Sequence, residues 1–307
     1  MKTETFIFKD AEGVQLFTYK WSPDEGVKAK AVVEIVHGMA EHAQRYSRLA
    51  KALTKEGYIV YAPDLRGHGR TAGLLGNVGY WGKNGFHKTA TDLRQLHLII
   101  SKENVNLPIF MLGHSMGSFL VQAYISHHGN NLKGAILSGV SGKQQMLTMG
   151  IIIAWVQKFI YGPKTRSKLL NHLSFGSYNN QFKPTRTAFD WLSRDEAEVD
   201  KYVEDPYCGG IFTTQFYYDL FRGLIFIHQP RVMRKIPKQL PIYIFGGGRD
   251  PVGRNGKGLL ELVNMYKKLG ITDLQYKIYP DARHETLNEI NREEVTPDLI
   301  NWLNAHL

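Results

Sequence analysis

One stretch constrains this chain more than any other: Pro108-Ile109-Phe110-Met111-Leu112-Gly113-His114-Ser115-Met116-Gly117-Ser118. An apolar run ends in Gly113-x-Ser115-x-Gly117, and a helix-like segment follows at once through Phe119, Leu120, Val121, Ala123, Tyr124 and Ile125. The order is strand, sharp turn, helix, the setting in which a short serine motif becomes a nucleophile elbow. The reason is steric. A serine on so tight a turn needs neighbours without bulk two places before and two after it, and glycine also tolerates positive φ. The turn lifts the Ser115 hydroxyl off the sheet and leaves the Met116 amide free at a helix N-terminus, where it can donate to a developing oxyanion. Alone, the motif is equally compatible with a glycine-rich turn that has no chemistry, so the rest of the chain must decide.

The flanking pattern predicts a sheet for that elbow to sit on. Thr5–Phe8 and Gln15–Trp21 read as an antiparallel hairpin around Asp10-Ala11-Glu12-Gly13. Strands are expected at Lys30–Val36, Tyr58–Ala62, Ile109–Leu112 and Gly134–Val140, with helices over Ala43–Glu56 and Gly85–Ser101. Strand–helix alternation from residue 30 to 140 predicts a mostly parallel sheet with helices on both faces. The alternation stops over residues 141–238, which are helical and aromatic in pattern. It resumes with a strand at Ile242–Phe245, a helix at Gly258–Leu269, a strand at Leu274–Tyr279 and a last helix at Pro297–His306. The expected organisation is an α/β core of residues 1–140 and 239–307, interrupted by a helical cap of residues 141–238. That span is far longer than an ordinary loop.

An acyl-transfer serine needs a base and an acid that orients it. In α/β-hydrolases the chain order is serine, acid, histidine. Asp250 follows the strand Ile242–Phe245 through Gly246-Gly247-Gly248-Arg249, and His284 follows the strand Leu274–Tyr279. Both fall in loops at strand C-termini, where α/β sites are built. The expected triad is therefore Ser115, Asp250 and His284. Asp64 also follows a strand, but it precedes the serine and reads as bracing the Arg66-Gly67-His68-Gly69 turn. The second oxyanion donor should come from the loop after an earlier strand, and His37-Gly38-Met39 supplies it: Gly38 allows close approach of the backbone, and the Met39 amide joins that of Met116. His37, Glu41 and His42 have no further ligands at suitable spacing, so no metal is expected. His114 reads as a packing residue, and His127 and His128 as the end of a helix. Cys208 has neither a neighbouring base nor an elbow and reads as a buried cysteine of the cap.

These motifs together resemble the monoacylglycerol lipase and lysophospholipase group of α/β-hydrolases. The likeness is carried by His37-Gly38-Met39-Ala40-Glu41-His42 with Arg45-Tyr46, by Asp64-Leu65-Arg66-Gly67-His68-Gly69, by Gly113–Gly117, by Gly247-Gly248-Arg249-Asp250-Pro251-Val252 and by Ala282-Arg283-His284-Glu285. Bacterial members carry a segment similar to Trp191–Tyr202 followed by Asp205-Pro206-Tyr207-Cys208. The resemblance implies the same triad and oxyanion amides, and it places Gly38, Glu41 and Arg45 at the substrate, the last two near the alcohol-side pocket. It implies a cofactor-free serine hydrolase that cleaves esters of single-chain lipids through an acyl-enzyme. Ser118 departs from the group, which often has a second glycine there, and Met39 stands where a smaller residue is common. A triad does not reveal its leaving group. A serine peptidase or amidase, or a short-chain carboxylesterase, therefore stays open on the same scaffold. The intact triad argues against a catalytically silent binding protein.

Composition narrows the surroundings. The 307 residues carry a formal charge of +10, but Lys and Arg are scattered, which argues against nucleic acid and leaves anionic lipid, an acidic substrate or a merely soluble basic surface. With one cysteine no internal disulfide can form, as suits a reducing compartment. The polar start Met1-Lys2-Thr3-Glu4-Thr5 does not read as a signal peptide, and no apolar run reaches the ~18–20 residues of a membrane span. The expectation is a cytoplasmic protein in peripheral contact with a membrane through its cap. In that cap, Met146–Tyr161 and Ile211–Ile227 are apolar on more than one face. They are expected to line an acyl channel above Ser115 as well as to pack.

Overall fold

The computed structural model describes residues 1–73, 75–144 and 146–307. Eight strands form one sheet: β1 (Lys2–Lys9), β2 (Gln15–Ser22), β3 (Ala31–Val36), β4 (Tyr58–Pro63), β5 (Ile109–His114), β6 (Gly134–Ser138), β7 (Ile242–Gly247) and β8 (Leu274–Tyr279). Their order is β1-β2-β4-β3-β5-β6-β7-β8. The hairpin β1–β2 pairs antiparallel and joins β4 antiparallel, whereas β4, β3, β5, β6, β7 and β8 run parallel. The α/β fold is the expected one.

The parallel strands are buried on both faces, and their side chains alternate between two cores, as the period of two requires. From β5, Ile109 and Met111 enter one core while Phe110 and Leu112 enter the other. From β3, Val32 and Val36 face the first, Val33 and Ile35 the second. The first core is covered by α2 (Gly85–Glu103), α3 (Met116–His128) and α9 (Lys257–Leu269) through Leu96, Leu120 and Leu262; α1 (Ser47–Lys55) and α10 (Arg292–Ala305) cover the second through Leu53 and Trp302.

Between β6 and β7 lie α4 (Leu147–Tyr161), α5 (Lys168–Phe175), α6 (Glu196–Glu204), α7 (Thr214–Ile227) and α8 (Pro230–Met233). Here α7 packs into the first core, with Phe216 and Leu224 buried among residues of α2 and α3. Gly223 makes the contact with α2 possible, because a β-carbon there would collide with the Phe86 ring.

Strand and helix ends shift by up to three residues, and two helix starts differ by more. The predicted helix at Ala43 begins as a 3₁₀ turn over Ala43–Tyr46 before α1 takes over. The last helix starts at Arg292, not at Pro297. Buried Val295 anchors that first turn, and Pro297 is exposed, so the helical bond it cannot donate is lost on the solvent side.

The register decides where the chemistry goes. Val36 pairs with Gly113, His114 with Ser138, Ser138 with Phe245, and Gly247 with Tyr279. The C-terminal ends of β3, β5, β6, β7 and β8 are therefore level, and the loops leaving them open on one edge of the sheet.

Candidate active site

Ser115 sits between β5 and α3 with φ 51° and ψ −121°. A β-branched or bulky residue would not hold that conformation, and the flanking glycines are required for contact reasons. A β-carbon on Gly113 would run into the Gly117 carbonyl, and one on Gly117 into the Val36 carbonyl. Ser118, the residue that departs from the resembling group, is fully buried and donates its hydroxyl to the Ser115 carbonyl at 2.6 Å. It braces the strained residue from the first helical turn.

His284 and Asp250 come together in the loops after β8 and β7, with Nδ1 3.0 Å from Oδ1. The approach is bent and not linear, since Nδ1 meets no acceptor in good hydrogen-bond alignment. Both are buried. Asp250 is held in turn by the Val252 amide at 2.8 Å. Burial alone pushes the His284 pKa down, but the Asp250 carboxylate, with Glu285 and Glu41 behind it, outweighs burial and leaves the imidazole above its ordinary 6.5. The facing carboxylate thus raises the proton affinity of a buried imidazole, the setting a general base requires. His114 packs beside it, ring centroids 4.8 Å apart, and burial depresses that imidazole to about 4. Only one of the two neighbouring histidines is poised to take a proton near neutrality.

The loop after β3 brings a second free amide to the same place. The amides of Met39 and Met116 have no hydrogen-bond acceptor among the described residues, and both residues line the same cavity as Ser115. Gly38 lies close enough to the elbow that an added β-carbon would stand 3.2 Å from Ser115 Cβ. Buried charge holds this loop in place. Glu41 Oε1 accepts from the Gly38 amide at 2.6 Å and from the Tyr46 hydroxyl at 2.9 Å. Arg45 donates to Glu41 Oε2 at 2.8 Å and grips Glu285 with two bonds of 2.7 Å each. Burial raises the Glu285 carboxyl, and the facing Arg45 outweighs it and keeps the group below the usual carboxylate range. Through Arg45, the oxyanion loop and the histidine loop share one ionic brace. His37 braces from below: its Nδ1 donates to the Gly38 carbonyl at 2.7 Å and its Nε2 accepts from the Leu65 amide at 2.9 Å. Burial pushes that imidazole down to about 3, so it stays neutral.

Asp64 does what the sequence implied. Its two oxygens accept from the Ala43 and Arg70 amides at 2.9 and 2.7 Å, which leaves it bracing loops. His127 and His128 are the last residues of α3. His42 faces Asp205 and Cys208 of the insert. Glu285 and Trp191, present in the sequence motifs without an assigned role, also stand beside His284. The Trp191 ring lies over His284 at 5.1 Å, and the Trp191 and Leu192 carbonyls accept the His284 and Glu285 amides at 3.3 and 2.7 Å. The segment starting at Trp191 was visible as a motif, but its contact with residue 284 was not.

Two cavities meet at Ser115. One, of 320 Å³, holds the polar groups and is lined by Gly38, Glu41, Tyr202, His284 and Glu285. The other, of 520 Å³, is mainly apolar and runs under the helices of the insert past Met149, Ile153, Leu170, Phe221 and Leu224. Met39, Ser115 and Phe175 border both.

Residues 27–291 match the family described as serine aminopeptidase, S33 (Hydrolase_4). The chain is 28% identical over 303 residues to a monoacylglycerol lipase of Mycolicibacterium smegmatis, covering 98% of this chain and 96% of that one. It is 31% identical to the phospholipase YtpA of Bacillus subtilis, over 90% of this chain and 95% of that one. A thermostable carboxyl esterase from Bacillus coagulans, solved in complex with glycerol, superposes with a TM-score of 0.92 at 29% identity, over 99% of both chains. The chain belongs to the serine aminopeptidase S33 family and is an α/β-hydrolase of the monoacylglycerol lipase group.

Proposed function

We propose that the protein hydrolyses carboxylic esters of single-chain lipids, monoacylglycerol or lysophospholipid, with residues 141–238 acting as a cap over the site. His284 takes the Ser115 proton as the hydroxyl oxygen attacks the ester carbonyl. The Met39 and Met116 amides hold the oxyanion, and Asp250 stabilises the imidazolium. The imidazolium returns its proton to the departing alcohol, leaving an acyl-enzyme. Water, deprotonated by His284, then attacks the acyl carbon and releases the acid. Each bond broken and formed is accounted for by these groups, and no cofactor enters the scheme. Glu41 and Arg45 act by fixing Gly38 and the polar wall of the alcohol side.

The observation that carries this reading is the pair of cavities at one serine. The larger is mainly apolar and fits one acyl chain, and the smaller mixes polar groups such as Glu41, Asn171 and Glu285 with apolar ones and fits a small polar alcohol. The name of the mycobacterial relative favours glycerol as that alcohol, and the name of the Bacillus relative favours a phospholipid. No helix is long and apolar enough to cross a membrane among the described residues. The outer face of α4 nevertheless exposes Ile152, Trp155, Phe159 and Ile160. We infer that this face rests on a lipid surface, from which substrate reaches the cavity beneath it.

The test separates an esterase from its rivals. A fluorophosphonate probe should label the wild type and not Ser115→Ala, and that variant should lose about 10⁴-fold or more in kcat on p-nitrophenyl esters at unchanged Tm. Aminoacyl anilides assayed in parallel should be poor substrates. More than a tenth of the activity left in Ser115→Ala, or anilides cleaved faster than esters, defeats the proposal.

A further inference from the structure

Outside the triad, three side chains of different donor type converge behind the oxyanion loop. His42 Nε2, Asp205 Oδ2 and Cys208 Sγ all lie within 4.8 Å of one another. The mechanism above uses none of them. His42 comes from the core, next to the Gly38–Glu41 loop, and the other two come from a single turn of the insert. That turn is fixed by its own hydrogen bonds: the Asp205 carbonyl accepts the Cys208 amide at 3.0 Å, and Asp205 Oδ1 accepts the Tyr207 amide at 2.8 Å. Asp205 Oδ2 is left to face His42 Nε2 at 2.8 Å. The Cys208 sulfur has no hydrogen-bond partner among the described residues, so one donor of the three is unspent.

We propose that His42, Asp205 and Cys208 bind a divalent transition metal of the zinc(II) class, with a fourth position open to solvent beside Asp205. The donor set selects the metal. Imidazole, carboxylate and thiolate together suit zinc and disfavour magnesium or calcium, which take oxygen ligands. The surrounding charge also suits a cation. Glu41, Glu285 and Asp64 stand near these residues, and Arg45 is the guanidinium that faces them, already engaged by two carboxylates. Asp205 is about a quarter exposed on its side chain (28%), which gives the metal a path in. On binding, the Cys208 thiol gives its proton to solvent and the sulfur bonds the metal. The proton that His42 Nε2 holds toward Asp205 moves by way of solvent to Nδ1, and the freed Nε2 and Asp205 Oδ2 exchange their mutual contact for bonds to the metal. Donors on a tetrahedral zinc stand more than about 3 Å apart, so the Asp205 turn opens slightly. The site reinforces an existing seam, since the Ala40 carbonyl already accepts the Gly209 amide at 3.0 Å and the Tyr202 hydroxyl at 2.8 Å. A metal here would clamp the insert to the loop that carries Met39.

The experiment is a titration of the full chain, stripped of metal with a chelator, with cobalt(II) and then zinc(II). One cobalt per chain should bind with a thiolate-to-cobalt charge-transfer absorption that zinc abolishes, and zinc should raise Tm. Cys208→Ser should lose the absorption, and His42→Ala and Asp205→Asn should bind more than about a hundredfold more weakly, beyond the usual effect of an outer-shell change. Circular dichroism of each variant checks that it is folded. Ser115→Ala should bind as the wild type does, which separates this site from the triad histidine. Absence of the absorption in folded wild type, or equal affinity in Cys208→Ser, overturns the proposal.

Discussion

Helices α4 and α7 read almost alike in the sequence, each apolar on more than one face, yet they end in opposite environments. In α7 the buried set includes Phe216, Tyr217, Leu220, Leu224 and Ile227 and also the polar Gln215 and Asp219. Among the described residues of α4, Ala154 alone is buried. Apolar content did not decide this. Anchors did. Asp219 Oδ2 accepts the Gly85 amide at 2.9 Å and Gln215 Nε2 at 2.8 Å, which satisfies a buried amide at the N-terminus of α2 and fixes α7 on the core. Gly223 then lets Phe86 close the gap. By contrast, α4 has among the described residues a polar tie that is only part-buried, Gln157 Oε1 accepting from the Ser167 hydroxyl within the insert itself. It leans on α7 through Gly150 against Phe221, turns Met149 and Ile153 to the cavity, and leaves the rest outward. Contiguous exposed apolar surface of this kind marks an interaction face.

The comparison breaks most visibly at two phenylalanines. Phe216 of α7 is 0% exposed and stacks on Trp81 at 3.8 Å. Phe216→Ala should cost about 3–5 kcal/mol, the usual range for emptying an aromatic core site, and differential scanning calorimetry should register a Tm lower by several degrees. A loss under about 1 kcal/mol would mean that α7 is not an integral part of the core.

The triad belongs with α7 on the buried side of this contrast, and its pH dependence sharpens it. Because Asp250 holds His284 above its ordinary 6.5, and only the neutral imidazole can act as base, kcat/KM should rise with pH along a limb whose midpoint lies above 6.5. Stability moves the other way. A raised folded-state pKa contributes stability that is complete below 6.5 and is lost as pH climbs through the folded value. The limb should stay in place when α4 is altered, since the charges that chiefly set His284, those of Asp250, Glu285 and Glu41, lie outside α4. A limb below 6.5, or one that moves with α4 substitutions, contradicts the assignment.

The smallest effect on stability should come from Phe159, 80% exposed on α4. Phe159→Ala should change unfolding free energy by no more than about 0.5 kcal/mol yet weaken co-sedimentation with phospholipid vesicles. Unchanged vesicle binding in Phe159→Ala and in the pair Trp155→Ala, Phe159→Ala would leave the outer face of α4 without its proposed role.

Much of this is legible in the amino-acid sequence alone. Strand positions followed from local apolar runs and the glycines that end them. Once β3, β5, β7 and β8 were placed, the loops carrying Gly38, Ser115, Asp250 and His284 had to fall on one edge. The elbow was readable because its steric rule is local, two residues either side of Ser115. What stayed hidden was long-range and patternless. Arg45 finds Glu285 and His42 finds Asp205 across most of the chain, and neither pairing leaves a periodic trace. The roles of Glu41 and Arg45 were seen as substrate contacts, whereas their bonds make them braces of the oxyanion loop as well. The different fates of α4 and α7 were equally hidden, because a buried Asp219 looks like any aspartate until its amide partner is known.

The central claim is that the cavity beneath α4 receives a single acyl chain above Ser115. The direct measurement is kcat/KM over an acyl series from two to eighteen carbons, on mono- and triacylglycerols in the same assay. Each methylene buried in the cavity is worth about 0.8 kcal/mol, roughly fourfold in rate at most. The account predicts a climb with chain length to a plateau, with triacylglycerols turned over far more slowly than the matching monoacylglycerols. A flat series, or triacylglycerols cleaved as fast, would contradict it and leave the insert as packing alone.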